Sequence, residues 1–226
     1  VSEMPALSIR DLDIRFPGLD APALAIPALD LEAGARVALT GASGSGKTTF
    51  INAVSGLERV RQGAVRWGET DLATLGEARR DRWRAASIGL VMQDFHLFPG
   101  LTVLDNVLLP HRLSCALPLA EARAEGERLL TRFGITRHAQ RVETLSRGQM
   151  QRVAIARALA GRPGILIADE PTASLDAEAG AAVGDLLLEL AADTGLTLIV
   201  ATHDPHLTGR MNRVLRLGNG RLAPER

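Results

Sequence analysis

The stretch that most constrains this chain is RVALTGASGSGKTTFINAVSG, residues 36–56. Arg36–Thr40 is a short apolar run, the pattern of a parallel strand buried on both faces. GKTTFINAVSG reads as a helix closed by Gly56. Between them Gly41, Ala42, Ser43, Gly44, Ser45, Gly46, Lys47 and Thr48 fit the pattern G-x-x-x-x-G-K-[ST]. The three glycines let the backbone turn tightly, so that successive N–H groups face an anion. The helix start adds free N–H groups and a positive dipole end. Lys47 reaches towards the β- and γ-phosphates of a nucleotide such as ATP. The Thr48 hydroxyl suits Mg²⁺, and Thr49 is a neighbouring phosphate contact. An ordinary glycine-rich turn needs neither the strand before nor the helix after.

A second stretch, ILIADEP at residues 165–171, ends an apolar strand in two carboxylates. Taken alone, Asp169 and Glu170 are two solvated acids at a strand end. Beside a phosphate loop, Asp169 is placed to hold Mg²⁺ through water and Glu170 to polarise an attacking water. The surrounding text alternates strands and helices. Strands are read at Leu7–Phe16, at Ala23–Leu31 (interrupted by Pro27), in GAVRW and at Ser87–Gln93. Residues 94–145 carry no strand signal. TVLDNVLLP reads as a helix capped by Thr102 and stopped at Pro110, and PLAEARAEGERLLTRFG as an amphipathic helix between Pro118 and Gly134. GILIAD, AEAGAAVGDLLLELAADTG and LTLIVAT restore the alternation, and RVLRLGNGRL is a hairpin around Asn219-Gly220. The expected fold is α/β: a P-loop NTPase core with a mostly parallel sheet, an N-terminal antiparallel β region and a helical insertion. Ligands belong at the strand C-termini.

TLSRGQMQRVAIARAL then begins with Ser146, followed three residues later by Gln149, a capping box. Ser146 and the Gly148 N–H form a possible second anion site, although an ordinary capped helix has the same spacing. At this point the chain resembles the ATP-binding-cassette (ABC) ATPases over nearly its whole length. LSRGQ is similar to their signature motif and lies just upstream of ILIADE. Gln93 in VMQDF matches the Q-loop glutamine, SLD at 174–176 the D-loop, and His203 in VATHD the switch histidine. Phe16, 25 residues before Gly41, stands where an aromatic ring stacks on adenine.

The resemblance implies a single nucleotide-binding domain over residues 1–226, with a helical subdomain at approximately 94–160. It implies an ATPase that works as a head-to-tail dimer with a second ABC subunit, here a homodimer. Lys47, Asp169 and Glu170 then act within one subunit. Ser146, Gly148 and Gln149 cover the γ-phosphate bound to the other, beside Asp176. Glu170, His203 and Gln93 are the implied catalytic residues, and Thr48, Gln93 and Asp169 the Mg²⁺ ligands. Two residues depart from the pattern. Arg147 stands where glycine is commonest, and its side chain is expected to point outward from the helix start. Phe16 replaces the commoner Tyr, keeping the π face without the hydroxyl.

The partners follow from what the chain lacks and what the family implies. Its 26 basic and 26 acidic residues leave no positive excess, so no nucleic-acid partner is expected. No apolar run approaches a membrane span, and no secretory pattern opens the chain, so a soluble protein is expected. The single Cys115 permits no internal disulfide and fits a reducing compartment. In the family, the segment holding Phe95, Leu97, Phe98 and Leu101 forms the groove for an integral membrane permease. Arg82, Trp83 and Arg84 are candidate neighbours. The text QDFHLFPGLTVLDNVLLP is most similar to ATPases of lipoprotein release, macrolide export and cell division. The expectation is therefore export or extraction, at the cytoplasmic face of the inner (plasma) membrane. An importer of the polar amino-acid type and a mechanical signalling ATPase are the alternatives, and a soluble nucleic-acid ABC ATPase fits least.

Overall fold

The computed structural model describes residues 5–114 and 118–224. In chain order the elements are β1 (Leu7–Ile14), β2 (Leu24–Leu31), β3 (Arg36–Thr40), α1 (Lys47–Val54), β4 (Gln62–Trp67) and β5 (Thr70–Asp71). Then come α2 (Glu77–Ser87), β6 (Ile88–Val91), α3 (Val103–Ser114), α4 (Leu119–Arg132), α5 (Arg147–Leu159) and β7 (Ile165–Asp169). The last are α6 (Ala177–Thr194), β8 (Thr197–Ala201), α7 (Pro205–Thr208), β9 (Arg213–Gly218) and β10 (Arg221–Leu222).

Two sheets result. β1 pairs antiparallel with β2 and β4, in the order β2-β1-β4-β5. β1 buries Leu7, Ile9, Leu12 and Ile14, so one face meets the core and the other meets solvent. The second sheet runs β10-β9-β3-β8-β7-β6, and only the β9–β10 pair is antiparallel. Every residue of β7 and β8 is buried, which is why those strands read as unbroken apolar runs. One apolar core joins the two sheets around α1, and another lies among α3, α4, α5 and α6. The parallel arrangement brings the C-terminal ends of β3, β6, β7 and β8 to one edge. The glycine loop, Gln93, Glu170 and His203 follow those four ends.

Three local features differ from the sequence expectation. α2 carries no apolar stripe, and its one buried residue is Arg80, so periodicity does not reveal it. α3 does not stop at Pro110 but continues to Ser114 with the proline inside it. Pro110 faces solvent while Leu108 and His111 are buried, so burial carries the helix past the missing N–H. β1 ends at Ile14, which leaves Phe16 in a turn closed by the Leu19 N–H on the Phe16 carbonyl at 3.3 Å. Cys115 lies outside the described residues.

Candidate active site

The glycine loop owes its shape to three backbone positions with positive φ: Gly41 at 153°, Gly44 at 74° and Gly46 at 104°. Two of them are also sites of close approach. A Cβ on Gly41 would meet the Leu217 carbonyl oxygen at 2.2 Å, and one on Gly46 the Ala23 carbonyl oxygen at 2.8 Å. No other residue fits either place. The loop is braced by the terminal hairpin, whose Gly220 N–H donates to the Ser45 carbonyl at 3.0 Å. No local signal in the sequence places that hairpin against the loop.

Lys47 opens α1 and folds back over the loop. Its Nζ donates to the carbonyls of Gly41 at 2.7 Å and Ala42 at 3.2 Å, and lies 3.4 Å from His203 Nε2. The Thr48 hydroxyl donates to Asp169 Oδ2 at 3.5 Å. Asp169 ends β7 and is only 7% exposed. Burial pushes its carboxyl up from the usual range, against the opposing pull of Lys47 and the Thr48 hydroxyl. A hydroxyl and a desolvated carboxylate are an all-oxygen pair suited to a hard divalent cation that keeps phosphate oxygens and waters as its other ligands. The Ser45 hydroxyl is buried in the loop with no hydrogen-bond partner among the described residues.

Glu170 sits in the left-handed region at φ 47°, where a residue with a Cβ is strained. The cause is visible in its contacts. Its N–H donates to the Ala201 carbonyl of β8 at 2.8 Å, and its Oε1 lies 3.4 Å from His203 Nε2. The backbone thus leaves the sheet one residue after Asp169, and the two adjacent acids diverge. Asp169 points back to α1, and Glu170 points to His203.

These residues line one cavity of about 1300 Å³. Of the residues expected at the site, Phe16, Ser43, Gly44, Gly46, Lys47, Thr48, Thr49, Gln93, Asp169, Glu170, Asp176 and His203 are on its wall. Gly41, Ala42 and Ser45 form the loop behind it. Phe16 is 39% exposed, and Leu19 joins it at the rim with Asp20, Pro22 and Asn219, none of which the sequence marks as a site residue. Ser146, Gly148 and Gln149 are not on this wall. Their capping box is formed, with the Gln149 N–H donating to Ser146 Oγ at 3.2 Å and the Ser146 N–H to Gln149 Oε1 at 2.9 Å. Asp176 doubles as the cap of α6, accepting from the Ala179 N–H at 2.8 Å.

Arg147 is exposed, as expected, but it lies along the surface against two neighbouring segments. Its Nε donates to the Ser174 carbonyl at 3.1 Å, and its guanidinium carbon lies 5.4 Å from the centre of the Phe95 ring. Phe95 itself is half-buried, and Phe98 is 53% exposed. Trp83 packs against the core beside α1.

A glycine loop opening a helix at the end of a parallel strand, with a carboxylate pair and a histidine at neighbouring strand ends, defines a P-loop nucleoside triphosphatase. Comparison with known proteins narrows the class. The sequence profile of the ABC transporter family matches residues 24–173. The chain is 39% identical over 225 residues to the lipoprotein-releasing system ATP-binding protein LolD of Pseudomonas fluorescens, covering 98% of this chain and 99% of that one. It is 43% identical over 196 residues to an uncharacterized ABC transporter ATP-binding protein of Mycobacterium tuberculosis, covering 86% of this chain and 79% of that one. Among solved structures, the ATP-binding cassette MJ0796, a dimer in a post-hydrolysis state bound to ADP and Pi, superposes with a TM-score of 0.87 at 33% identity, with 97% of each chain covered. This chain belongs to the ABC transporter family and is an ATPase of that family.

Proposed function

We propose that the chain is the ATP-hydrolysing subunit that powers an ABC transporter through a separate membrane subunit, in the direction of export or extraction from the membrane. One observation carries the catalytic part: the strained turn at Glu170 aims its carboxylate at His203, beside Lys47, at the mouth of the glycine loop. The likeness to lipoprotein-releasing ATP-binding proteins supports the direction. Among the described residues no helix is long and apolar enough to cross a membrane. The membrane subunit is therefore assigned to another chain, and this one to its cytoplasmic face, docked at the segment Phe95–Leu101.

In this reading Phe16 stacks on the adenine, and the N–H groups of residues 41–48 cradle the phosphates. Lys47 exchanges its carbonyl partners for β- and γ-phosphate oxygens. Thr48, Asp169 and Gln93 would hold Mg²⁺, which would neutralise charge on the phosphate oxygens. Glu170 accepts a hydrogen bond from the attacking water and takes its proton as oxygen attacks the γ-phosphorus. The bond from that phosphorus to the β–γ bridging oxygen breaks, and ADP leaves. His203 orients the water and the Glu170 carboxylate. Ser146, Gly148 and Gln149 act on the nucleotide of a second subunit, because they lie off the cavity of their own chain.

The test is Glu170→Gln, which keeps shape and removes the proton acceptor. Hydrolysis should fall by about 10²–10⁴-fold, the size of a lost general base. Binding of a fluorescent ATP analogue should be retained. Normal turnover by this variant refutes the assignment.

A further inference from the structure

We propose that Arg147 is a positioning residue that ties the Phe95 segment to the turn at Ser174 and, through that turn, to Glu170. Four contacts form a continuous path. The guanidinium lies over the Phe95 ring at 5.4 Å. The same group donates through Nε to the Ser174 carbonyl at 3.1 Å. The Ser174 turn is anchored on the active site, because the Ala173 N–H donates to the Glu170 carbonyl at 3.2 Å and the Leu175 N–H to the Thr172 carbonyl at 3.1 Å. A planar guanidinium can serve both ends at once, with its face available to a ring and its in-plane N–H to a carbonyl.

Both ends of the path are otherwise fixed. Arg157 of α5 donates to the Phe95 and His96 carbonyls at 2.8 and 2.6 Å, so the backbone beneath the ring is held. At the other end the start of α6 abuts the start of α5, where a Cβ on Gly148 would meet Ala179 Cβ at 3.2 Å. A glycine in place of Arg147 would leave Phe95 and Ser174 without this shared contact. A shift of Phe95 thus reaches the turn that leaves Glu170. Sensitivity to a docked membrane subunit is the consequence, and that consequence alone rests on the docking reading above. The contact path is tested on the isolated chain.

The experiment is hydrogen exchange at the amides of Ala173 and Leu175 in nucleotide-free protein. Phe95→Leu removes the π face and keeps an apolar side chain. It should speed exchange at both amides by about threefold, the scale of an exposed cation–π contact. In an Arg147→Met background the same Phe95→Leu change should add nothing, since the path is already cut. Arg147→Lys should weaken the coupling in the same direction as Arg147→Met, because a flexible ammonium lacks the planar fork that fixes the carbonyl bond and the ring contact together. It also supplies the test on a chain that keeps its charge, should the methionine variant fold poorly. Exchange unaffected by Phe95→Leu, or an effect that persists undiminished without Arg147, overturns the proposal.

Discussion

Asp169 and Glu170 are neighbours with opposite surroundings. The Asp169 carboxylate is enclosed at the end of β7, and burial disfavours its charge more than Lys47 and Thr48 favour it. Its negative charge thus destabilises the nucleotide-free fold while suiting a cation. Asp169→Asn keeps the shape and removes the charge. In the presence of a chelator it should raise the melting temperature by about 2–4 °C, the shift that ~1 kcal/mol gives a chain of this size. It should also lose the further stabilisation that Mg²⁺ and ATP give the unaltered chain. Calorimetry with and without ligand checks both parts, and a lowered melting temperature would show that Lys47 and Thr48 outweigh burial. The pair of acids was legible in the sequence because an apolar run stops at them. The strain at Glu170 was not, because it is imposed by the Ala201 carbonyl of a strand that follows 31 residues later. The surface contacts of Arg147 were equally hidden, since Phe95 and Ser174 are far from it in the chain.

At the scale of elements, burial decides where periodicity and propensity mislead. The strands β3, β7 and β8 were readable because buried parallel strands are apolar throughout. The helix α5 was readable from its capping box. α2 has charge on nearly every face, so nothing in its spacing marked it, and its place is set by tertiary contacts such as Arg84 donating to the Gly56 carbonyl at 3.1 Å. α3 passes its proline because His111 is drawn into the interior, where its ring touches the position a Gly161 Cβ would occupy and neither ring nitrogen has a partner among the described residues. Burial lowers the His111 pKa. The sign follows from linkage. At high pH both folded and unfolded His111 are neutral, and it adds no pH dependence. As pH falls through about 6.5 the unfolded chain takes up a proton that the folded chain refuses, so stability declines from there down to the lower folded value. Thermal melts from about pH 7.5 to 5.5 should show this decline, and His111→Leu should flatten it. A superimposable profile for the two chains would mean that other histidines carry the effect.

At the scale of the whole molecule, the cavity is complete on one side only. Phosphate loop, acids, Gln93 and His203 converge on its wall, whereas the second capped helix start, with Ser146 and Gly148, lies off it. In the proposed reading, a nucleotide seated on Lys47 would leave its outer phosphate face open to whatever docks there. A second copy placed head to tail would bring its own Ser146 and Gly148 to that face, with the cap geometry already formed and the helix dipole directed at the phosphate. A solved relative is a dimeric cassette, which supports this arrangement. Cross-linking tests it directly. Ser43→Cys places a thiol on the exposed glycine loop, and Thr144→Cys places one on the exposed turn before Ser146. Cys115→Ser removes the native thiol, and Glu170→Gln prevents turnover. On a reducing-free gel, disulfide formation should join two chains, and only when Mg²⁺ and ATP are both supplied. Adding Lys47→Ala should abolish the link, because in this arrangement the bound phosphate would be the bridge between the chains. Cross-links confined within single chains, or formed equally without nucleotide, would show that Ser146 and Gly148 do not complete the site of a second copy.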